Sequence, residues 1–444
     1  MSGDGCAISE TERDNLFECF AGFGSVCLAV SGGADSTAML HLVSAWRHSR
    51  ENAAPAITVA TVDHRLRPAS ATEARRVAAD CADLGLPHTT LTWDGPKPAR
   101  GIQAAARAAR YRLLGRFAKN SNAEAVATAH TLDDQAETLL MRLARGSGAD
   151  GLSAMKTVSR IDGMTVLRPL LGVSRRRIIA TLQQRGIAWT EDPSNGEIEF
   201  ERVRWRRAAG ALAELGLTPP PLALSAHRLG RARAALDAVA ADAAEPGRGI
   251  VGLDPLGYAR IDWPKVLDLP AEIRLRILAR AIACVGGGPE PVPLAGLEAI
   301  TEGQAWRQPV GRTLGRVAFR AGRGCEILLL REPGRKAPDP IILRPGDRHC
   351  FDGRFAVSVA KSMRADITVA TLQADGLRGL SEAAVRRPPA PAAVLRMLPG
   401  FWHGETLVAV PALGYIDANF ELAHFFCAFT NRLFAERDRR GCDT

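Results

Sequence analysis

The chain has 444 residues, 46% hydrophobic and 24% charged, which excludes collagenous, disordered and disulfide-scaffold classes and leaves room for roughly two to four compact units. Lys and Arg number 57 against 48 Asp and Glu, a net charge of +9. Lys occurs only at positions 97, 119, 156, 265, 336 and 361, so arginine carries nearly all the positive charge: that suits a phosphate-bearing partner, and equally a GC-rich coding sequence.

The first half alternates strand and helix signals. Ser25–Val30 is an apolar, β-rich run, followed by a glycine turn and a helical stretch to about Trp46. Ile57–Val62 reads as a second strand, and Ser70-x-x-Glu73 as a capping box opening a helix to about Leu84. His88–Trp93 is a third strand, Gln103–Lys119 an Arg/Ala-rich helix, Ala125–Ala129 a fourth strand, and about Thr131–Arg145 a further helix. This alternation predicts β-α-β units on a parallel sheet, with ligands at the C-terminal strand ends.

The pattern changes after Asn195. A basic helical segment, Glu201–Leu215, leads into Thr218-Pro219-Pro220-Pro221, read as a linker. Ala223 to about Gly303 reads as mainly helical, with an irregular stretch near Gly247–Trp263. Thr313–Arg320 and Cys325–Arg331 form a predicted hairpin, and Pro333–Pro340 a second linker. The remainder mixes short strands (Phe355–Val359, Thr406–Val410) with a final helix near Leu422–Arg437. Three domains are expected, at about 1–215, 216–332 and 340–444.

The nine cysteines form no C-x-x-C pair and no zinc spacing, as expected of reduced thiols in a cytoplasmic protein. The acidic N-terminal residues predict no signal peptide, and no run reaches the ~18 apolar residues of a membrane span. The strongest chemical signal is Ser31-Gly32-Gly33-Ala34-Asp35-Ser36, between an apolar strand and a helix. Two glycines let the backbone approach an anion, the helix N-terminus supplies N–H groups, and Ser31 and Ser36 add hydroxyls. Gly146-Ser147-Gly148-Ala149-Asp150-Gly151 matches the dinucleotide fingerprint but follows a helix, not a strand, so it reads as a loop.

Val62-Asp63-His64-Arg65-Leu66-Arg67 ends the second strand; His64 and Arg67 are secondary candidates. Gln103, Arg107 and Arg110 share one helix face by their spacing. In Ala129-His130-Thr131-Leu132-Asp133-Asp134-Gln135-Ala136-Glu137-Thr138, Asp134 and Glu137 project from one side of the first helical turns. Trp189-Thr190-Glu191-Asp192-Pro193-Ser194-Asn195 is an acidic turn ahead of Arg202, Arg204 and Arg206.

Together these strings resemble the tRNA(Ile)-lysidine synthetase family of the PP-loop ATP pyrophosphatases, and Arg168-Pro169-Leu170-Leu171 and Leu343-Arg344-Pro345-Gly346-Asp347-Arg348 resemble family segments too. Where many relatives carry Arg-Asn, this chain has Arg202-Val203. The resemblance implies an α/β, Rossmann-like PP-loop catalytic domain of the adenine nucleotide alpha hydrolase type, a mainly helical middle domain and a small α+β C-terminal domain. It implies a ligase that uses ATP and Mg²⁺ to convert the wobble cytidine of an isoleucine tRNA with a CAU anticodon to lysidine, with L-lysine as co-substrate, and often as a homodimer. Ser31, Gly32, Gly33, Ala34, Asp35 and Ser36 would cradle pyrophosphate. Asp35 and Asp134 would hold the metal, with Asp133 an alternative to Asp134. Asp134 and Glu137 would bind the lysine ε-ammonium, and Arg110 and His130 would stabilise negative charge on the activated intermediate. Two other readings are a tRNA thiolase, which the missing cysteine pairs oppose, and a non-catalytic RNA-binding protein, which would need no intact loop.

Overall fold

The structure is a computed structural model that describes residues 5–50, 54–67, 69–98, 100–161, 163–190, 201–288, 291–301, 309–334, 336–383, 388–420, 425–430 and 433, with 201–203 and 382 described by backbone alone. The chain divides into two compact units, Met1–Arg233 and Ala234–Thr444.

In chain order the first unit contains α1 (Glu10–Phe17), β1 (Ser25–Ala29), α2 (Ala34–Arg50), β2 (Ala56–Asp63), α3 (Ser70–Asp83), β3 (His88–Thr92), α4 (Ile102–Asn120), β4 (Ala125–Thr128), α5 (Leu132–Leu143), α6 (Ala149–Leu152), β5 (Val158–Ile161), β6 (Met164–Leu167), α7 (Arg175–Gln184), α8 (Glu201–Glu214) and α9 (Pro219–Ala243). The sheet order is β3-β2-β1-β4-β6-β5. All pairings are parallel except β5 with β6. β1 is central, and Val26, Cys27 and Leu28 are fully buried, as an apolar run covered on both faces should be. β3, at the edge, alternates with threonines and is only partly covered. α2 buries ten of its residues, and its Trp46 packs against Phe17 and Phe20 with ring centroids 5.9 and 5.8 Å away.

Two local expectations for this unit are corrected. The capping box at Ser70 does not form: the N-cap is Ala69, without a side-chain cap bond. Ser70 Oγ instead donates to Asp63 Oδ1 at 2.7 Å, and Glu73 pairs with Arg67 at 3.0 Å, so tertiary partners take both groups. Nor is Pro219-Pro220-Pro221 a linker. The three prolines open α9, where the missing N–H groups cost nothing because first-turn donors have no intrahelical acceptor. Gly146–Gly148 is a turn leading into α6, in keeping with its reading as a loop.

The second unit continues with β7 (Val251–Asp254), β8 (Tyr258–Asp262), α10 (Trp263–Leu267), α11 (Ala271–Gly286), α12 (Leu294–Thr301), β9 (Thr313–Leu314), β10 (Val317–Ala321), β11 (Glu326–Arg331), β12 (Ile341–Leu343), β13 (Arg348–Phe351), β14 (Phe355–Val359), β15 (Ile367–Thr371), α13 (Gln373–Glu382), α14 (Ala392–Arg396), β16 (Pro399–His403), β17 (Thr406–Val410), β18 (Tyr415–Ile416) and β19 (Phe425–Phe429). Its sheets run β7-β8-β11-β10-β9, β12-β15-β16-β17-β18 and β13-β14-β19. One hydrophobic cluster centres on Ile277, Leu278, Phe319 and Leu329, a second on Phe351, Phe355, Ile367 and Phe401.

The β10–β11 hairpin forms as expected. The stretch near Gly247–Trp263, expected to be irregular, is the β7–β8 hairpin. A final helix is also corrected where it is described: Phe425–Phe429 is strand β19, antiparallel to β14. Its Phe-Phe-Cys-Ala-Phe sequence favours a pleated surface over a helix.

Candidate active site

The strand order reverses at β1 and β4, which are neighbours in the sheet, and a crevice opens beyond the C-terminal ends of strands at such a switch point. The loop from β1 into α2 and the loop from β4 into α5 meet there. Gly32 has φ +86°, and a Cβ on it would lie 3.2 Å from Val77 Cγ2, so only glycine fits. Thr190 N donates to Gly32 O at 2.9 Å and Thr37 N to Gly33 O at 2.9 Å. Ser36 is buried: its Oγ donates to Gly33 O at 3.0 Å and accepts from Ser31 N at 3.1 Å. Ser36 therefore holds the loop's shape, while Ser31 is exposed. The loop presents the start of α2, whose first-turn N–H groups and positive dipole end suit an anion.

Across the crevice, Thr131 caps α5 in a reciprocal capping box with Asp134. Asp134 Oδ2 accepts from Thr131 N at 2.9 Å and Thr131 Oγ1 at 3.1 Å. Asp133 Oδ2 accepts from Arg175 N at 2.7 Å, joining α5 to the start of α7. Arg206 of α8 donates from Nε to Glu137 Oε1 at 2.6 Å. Thr131, Asp133, Asp134, Glu137, Arg175 and Arg206 line a cleft of about 310 Å³.

Asp35 joins this group through Arg175, whose Nη1 lies 3.5 Å from Asp35 Oδ2. Its other oxygen, Oδ1, is buried without a hydrogen-bond partner among the described residues. Burial pushes its pKa up to about 6; the charges of Asp134 and Asp133 push the same way, and Arg175 and Arg206 oppose. Among the described residues, four carboxylates thus gather with two guanidiniums. Among the described residues no group of three or more His, Cys, Asp or Glu forms a complete metal cage. The orphaned Asp35 Oδ1 fits a hard cation such as Mg²⁺, which takes one or two carboxylates and fills its other positions with water and phosphate oxygens.

The sequence-predicted residues divide into two groups. Asp35, Asp134 and Glu137 are brought together. Arg110 is exposed, as are Gln103 and Arg107 on the same side of α4, and none of them lines the cleft. Arg110 is instead near His64, whose pKa burial lowers to about 4, with the charges of Arg110 and Lys97 acting in the same direction and Asp63 against. The His64 ring meets Trp93 edge-on, 5.8 Å between centroids. His130 is half-buried, Nδ1 2.9 Å from Thr128 Oγ1. Arg67 is taken up by Glu73. The Glu191–Asn195 turn and the Arg202 side chain lie outside the described residues. Sequence reasoning missed Thr131, Arg175 and the pairing role of Arg206. Thr131 was legible as a capping-box threonine; Arg175 had no signal, because only the fold brings it to Asp35.

A PP-loop domain family model matches residues 8–211. The chain is 44% identical over 358 residues to the tRNA(Ile)-lysidine synthase of Bradyrhizobium sp. strain BTAi1, covering 78% of this chain and 99% of that protein. It is 47% identical to the enzyme of that name from Rhodopseudomonas palustris, over 68% of this chain and 86% of that one. With that of Ruegeria pomeroyi, identity is 39% over 87% of this chain and 88% of that protein. Among solved structures, a U34-tRNA thiolase from Methanococcus maripaludis aligns with TM-score 0.42 and 14% identity, over 50% of this chain and 78% of that one, a level from which no reaction is read across. Relatives this similar over most of their own length, together with the PP-loop family match, place the chain in the tRNA(Ile)-lysidine synthase family.

Proposed function

We propose that this protein is an ATP-dependent ligase that joins L-lysine to the wobble cytidine of an isoleucine tRNA with a CAU anticodon, releasing AMP and pyrophosphate. The observation that carries this reading is Asp35, a buried carboxylate with an orphaned oxygen, set between an anion-cradling loop and an acidic helix start. A site with both features suits a polyphosphate–metal pair beside a cationic co-substrate.

The cytidine 2-oxygen is a poor leaving group, so it first attacks the α-phosphorus of ATP and pyrophosphate departs. The loop Ser31–Ser36 and the N-terminus of α2 receive the departing pyrophosphate. Asp35, with Asp134, would hold Mg²⁺, which when bound would supply charge neutralisation on the phosphates. The lysine ε-ammonium gives its proton to solvent water, the free amine then bonds to the ring carbon, the carbon–oxygen bond breaks, and AMP leaves with that oxygen. Asp134 and Glu137 hold the ammonium before the transfer, and partial burial between α5 and α8 draws its pKa toward neutrality. Arg110 and His130 act on the negative charge of the adenylylated intermediate. In this scheme residues 1–215 carry the chemistry, while 216–332 and 340–444 select the tRNA. Among the described residues no helix is long and apolar enough to cross a membrane.

The test incubates the full chain with ATP, labelled lysine and unmodified tRNA bearing the CAU anticodon. Label entering the tRNA in step with AMP release is the expected result. ATP cleavage that depends on a sulfur donor would replace this reading with a thiolase, and no ATP cleavage at all would leave an RNA-binding protein.

A further inference from the structure

Glu12 lies on α1, away from the cleft, and belongs to no motif. Arg177 of α7 donates to it twice, from Nη1 to Oε1 at 2.5 Å and from Nη2 to Oε2 at 2.6 Å. Two parallel bonds fix angle as well as distance, and they hold the Glu12 carboxyl below the usual carboxylate range. Arg177 Nε also donates to Cys6 O at 3.0 Å. One turn further along the same face of α7, Thr181 Oγ1 accepts from Ile8 N at 2.9 Å. The Arg177 side chain is 11% exposed and that of Glu12 29%, so the pair is far less screened than a surface ion pair.

The pair holds the start of α7. Two residues before Arg177, and so on the opposite side of the helix, stands Arg175. Its N–H bonds Asp133 Oδ2 at 2.7 Å and its Nη1 lies 3.5 Å from Asp35 Oδ2, although its side chain is 40% exposed. A contact made by so exposed a side chain depends on where its backbone is rooted. The frame closes on itself: α2 carries Asp35 in its first turn, α1 is fixed to α2 by Phe17 against Trp46, and Glu12 ties α7 to α1. We infer that Glu12 is a positioning residue for the ATP site: by clamping Arg177 it fixes the start of α7 and thereby holds Arg175 against Asp35. This rests on the ligase reading above, which places Asp35 at the ATP phosphates, and adds a residue that touches neither substrate nor cleft. Displacements of ~1 Å caused far from the chemistry can cost up to ~100-fold, so a remote clamp has measurable consequences.

Equilibrium binding of ATP with Mg²⁺ to the full chain, without tRNA so that no reaction follows, separates positioning from mere stabilisation. Glu12→Gln should raise the Kd for ATP ~3–10-fold. Arg177→Lys, which keeps the charge and loses the two-bond fork, should fall between that variant and wild type. In an Arg175→Gln background, Glu12→Gln should add less than about twofold, because its route to Asp35 is gone. The inference is overturned if Glu12→Gln lowers Tm but leaves ATP affinity unchanged, or if it weakens ATP by the same factor with and without Arg175. Should Glu12→Gln fail to fold, Arg177→Lys enters the same cycle, and the same two results overturn the inference. A wild-type chain that binds no ATP removes the ligase reading together with this one. ATP binding in which Glu12 and Arg175 act independently removes this one alone.

Discussion

Arg175 contacts both carboxylate-bearing helix starts of the crevice: its backbone N–H bonds Asp133 Oδ2 at 2.7 Å, and its Nη1 lies 3.5 Å from Asp35 Oδ2. One residue at the start of α7 thereby ties down the first turn of α5 and opposes the burial that raises the pKa of Asp35 at the start of α2. Arg175→Gln keeps the backbone bond and removes only the cation. Arg175 lowers the pKa of Asp35 against the burial that raises it. Its loss should therefore move the acid limb of kcat/KM for ATP to higher pH, by about 1 unit, as expected for one adjacent charge. A limb that stays in place would mean that Asp35 is not the group titrating in the free enzyme.

Asp35 itself should trade stability for function. Its pKa is about 6 in the folded protein against an ordinary 3.8, chiefly through burial. The folded form binds more protons than the unfolded form between those values, so stability without ligands falls as pH rises through that window. Near pH 8 the ionised carboxylate costs on the order of 3 kcal/mol. Asp35→Asn should accordingly raise the ligand-free Tm by several degrees at about pH 8 and by much less near pH 4, where the wild-type carboxyl is already protonated. The same variant should lose ATP-dependent lysine incorporation. Scanning calorimetry at both pH values checks the first half; an unchanged or lower Tm at the higher pH would show that Arg175 fully compensates the buried charge.

What the sequence disclosed follows from how local each feature is. The Ser31–Ser36 loop was legible because an apolar strand, two glycines and a helix start are contiguous. The same i, i+3 pattern misled at Ser70 and went unread at Thr131, where the box does form. Ser70 lies within 2.7 Å of Asp63 Oδ1, an acceptor from the end of β2 that outcompetes its own helix. Among the described residues Thr131 has no such rival, and its box with Asp134 forms. Arg175 and Arg206 reach Asp35 and Glu137 only through packing of distant helices, so neither pairing has a motif. The Phe425–Phe429 strand was misread for the complementary reason: its pairing with β14 is a long-range decision that apolar content alone does not reveal.

Thr131→Ala tests the cap. It removes the hydroxyl that accepts from Asp134 N and donates to Asp134 Oδ2, a loss of ~1 kcal/mol for an N-cap threonine. The first unit should melt about 2–4 °C lower. Since Asp134 loses one of its two donors from Thr131, the KM for lysine should rise more than the KM for ATP. Thr131→Ser keeps the cap oxygen and should behave as wild type in both measurements. Equal rises in the two KM values would place Asp134 at the metal and not at the amine.

The second unit offers a charge test of tRNA selection. Arg344 and Arg348 are both exposed, and the turn between them is closed by Asp347, whose Oδ2 accepts from Arg344 N at 2.9 Å. Gly346, at φ +86°, lies against the stem of Lys361, since a Cβ there would sit 2.9 Å from Lys361 Cγ; Lys361 is exposed as well. Three cations around one rigid turn suit a phosphate backbone. Each phosphate contact contributes about 0.7–0.9 to the slope of log affinity against log salt. The double reversal Arg344→Glu, Arg348→Glu should therefore weaken tRNA binding and flatten that slope by about 1.5. Because the turn is held by a backbone N–H and a carboxylate that the reversal leaves in place, the unit's Tm should change little. A weakened affinity with an unchanged slope would mean that these arginines support the turn and do not contact phosphate.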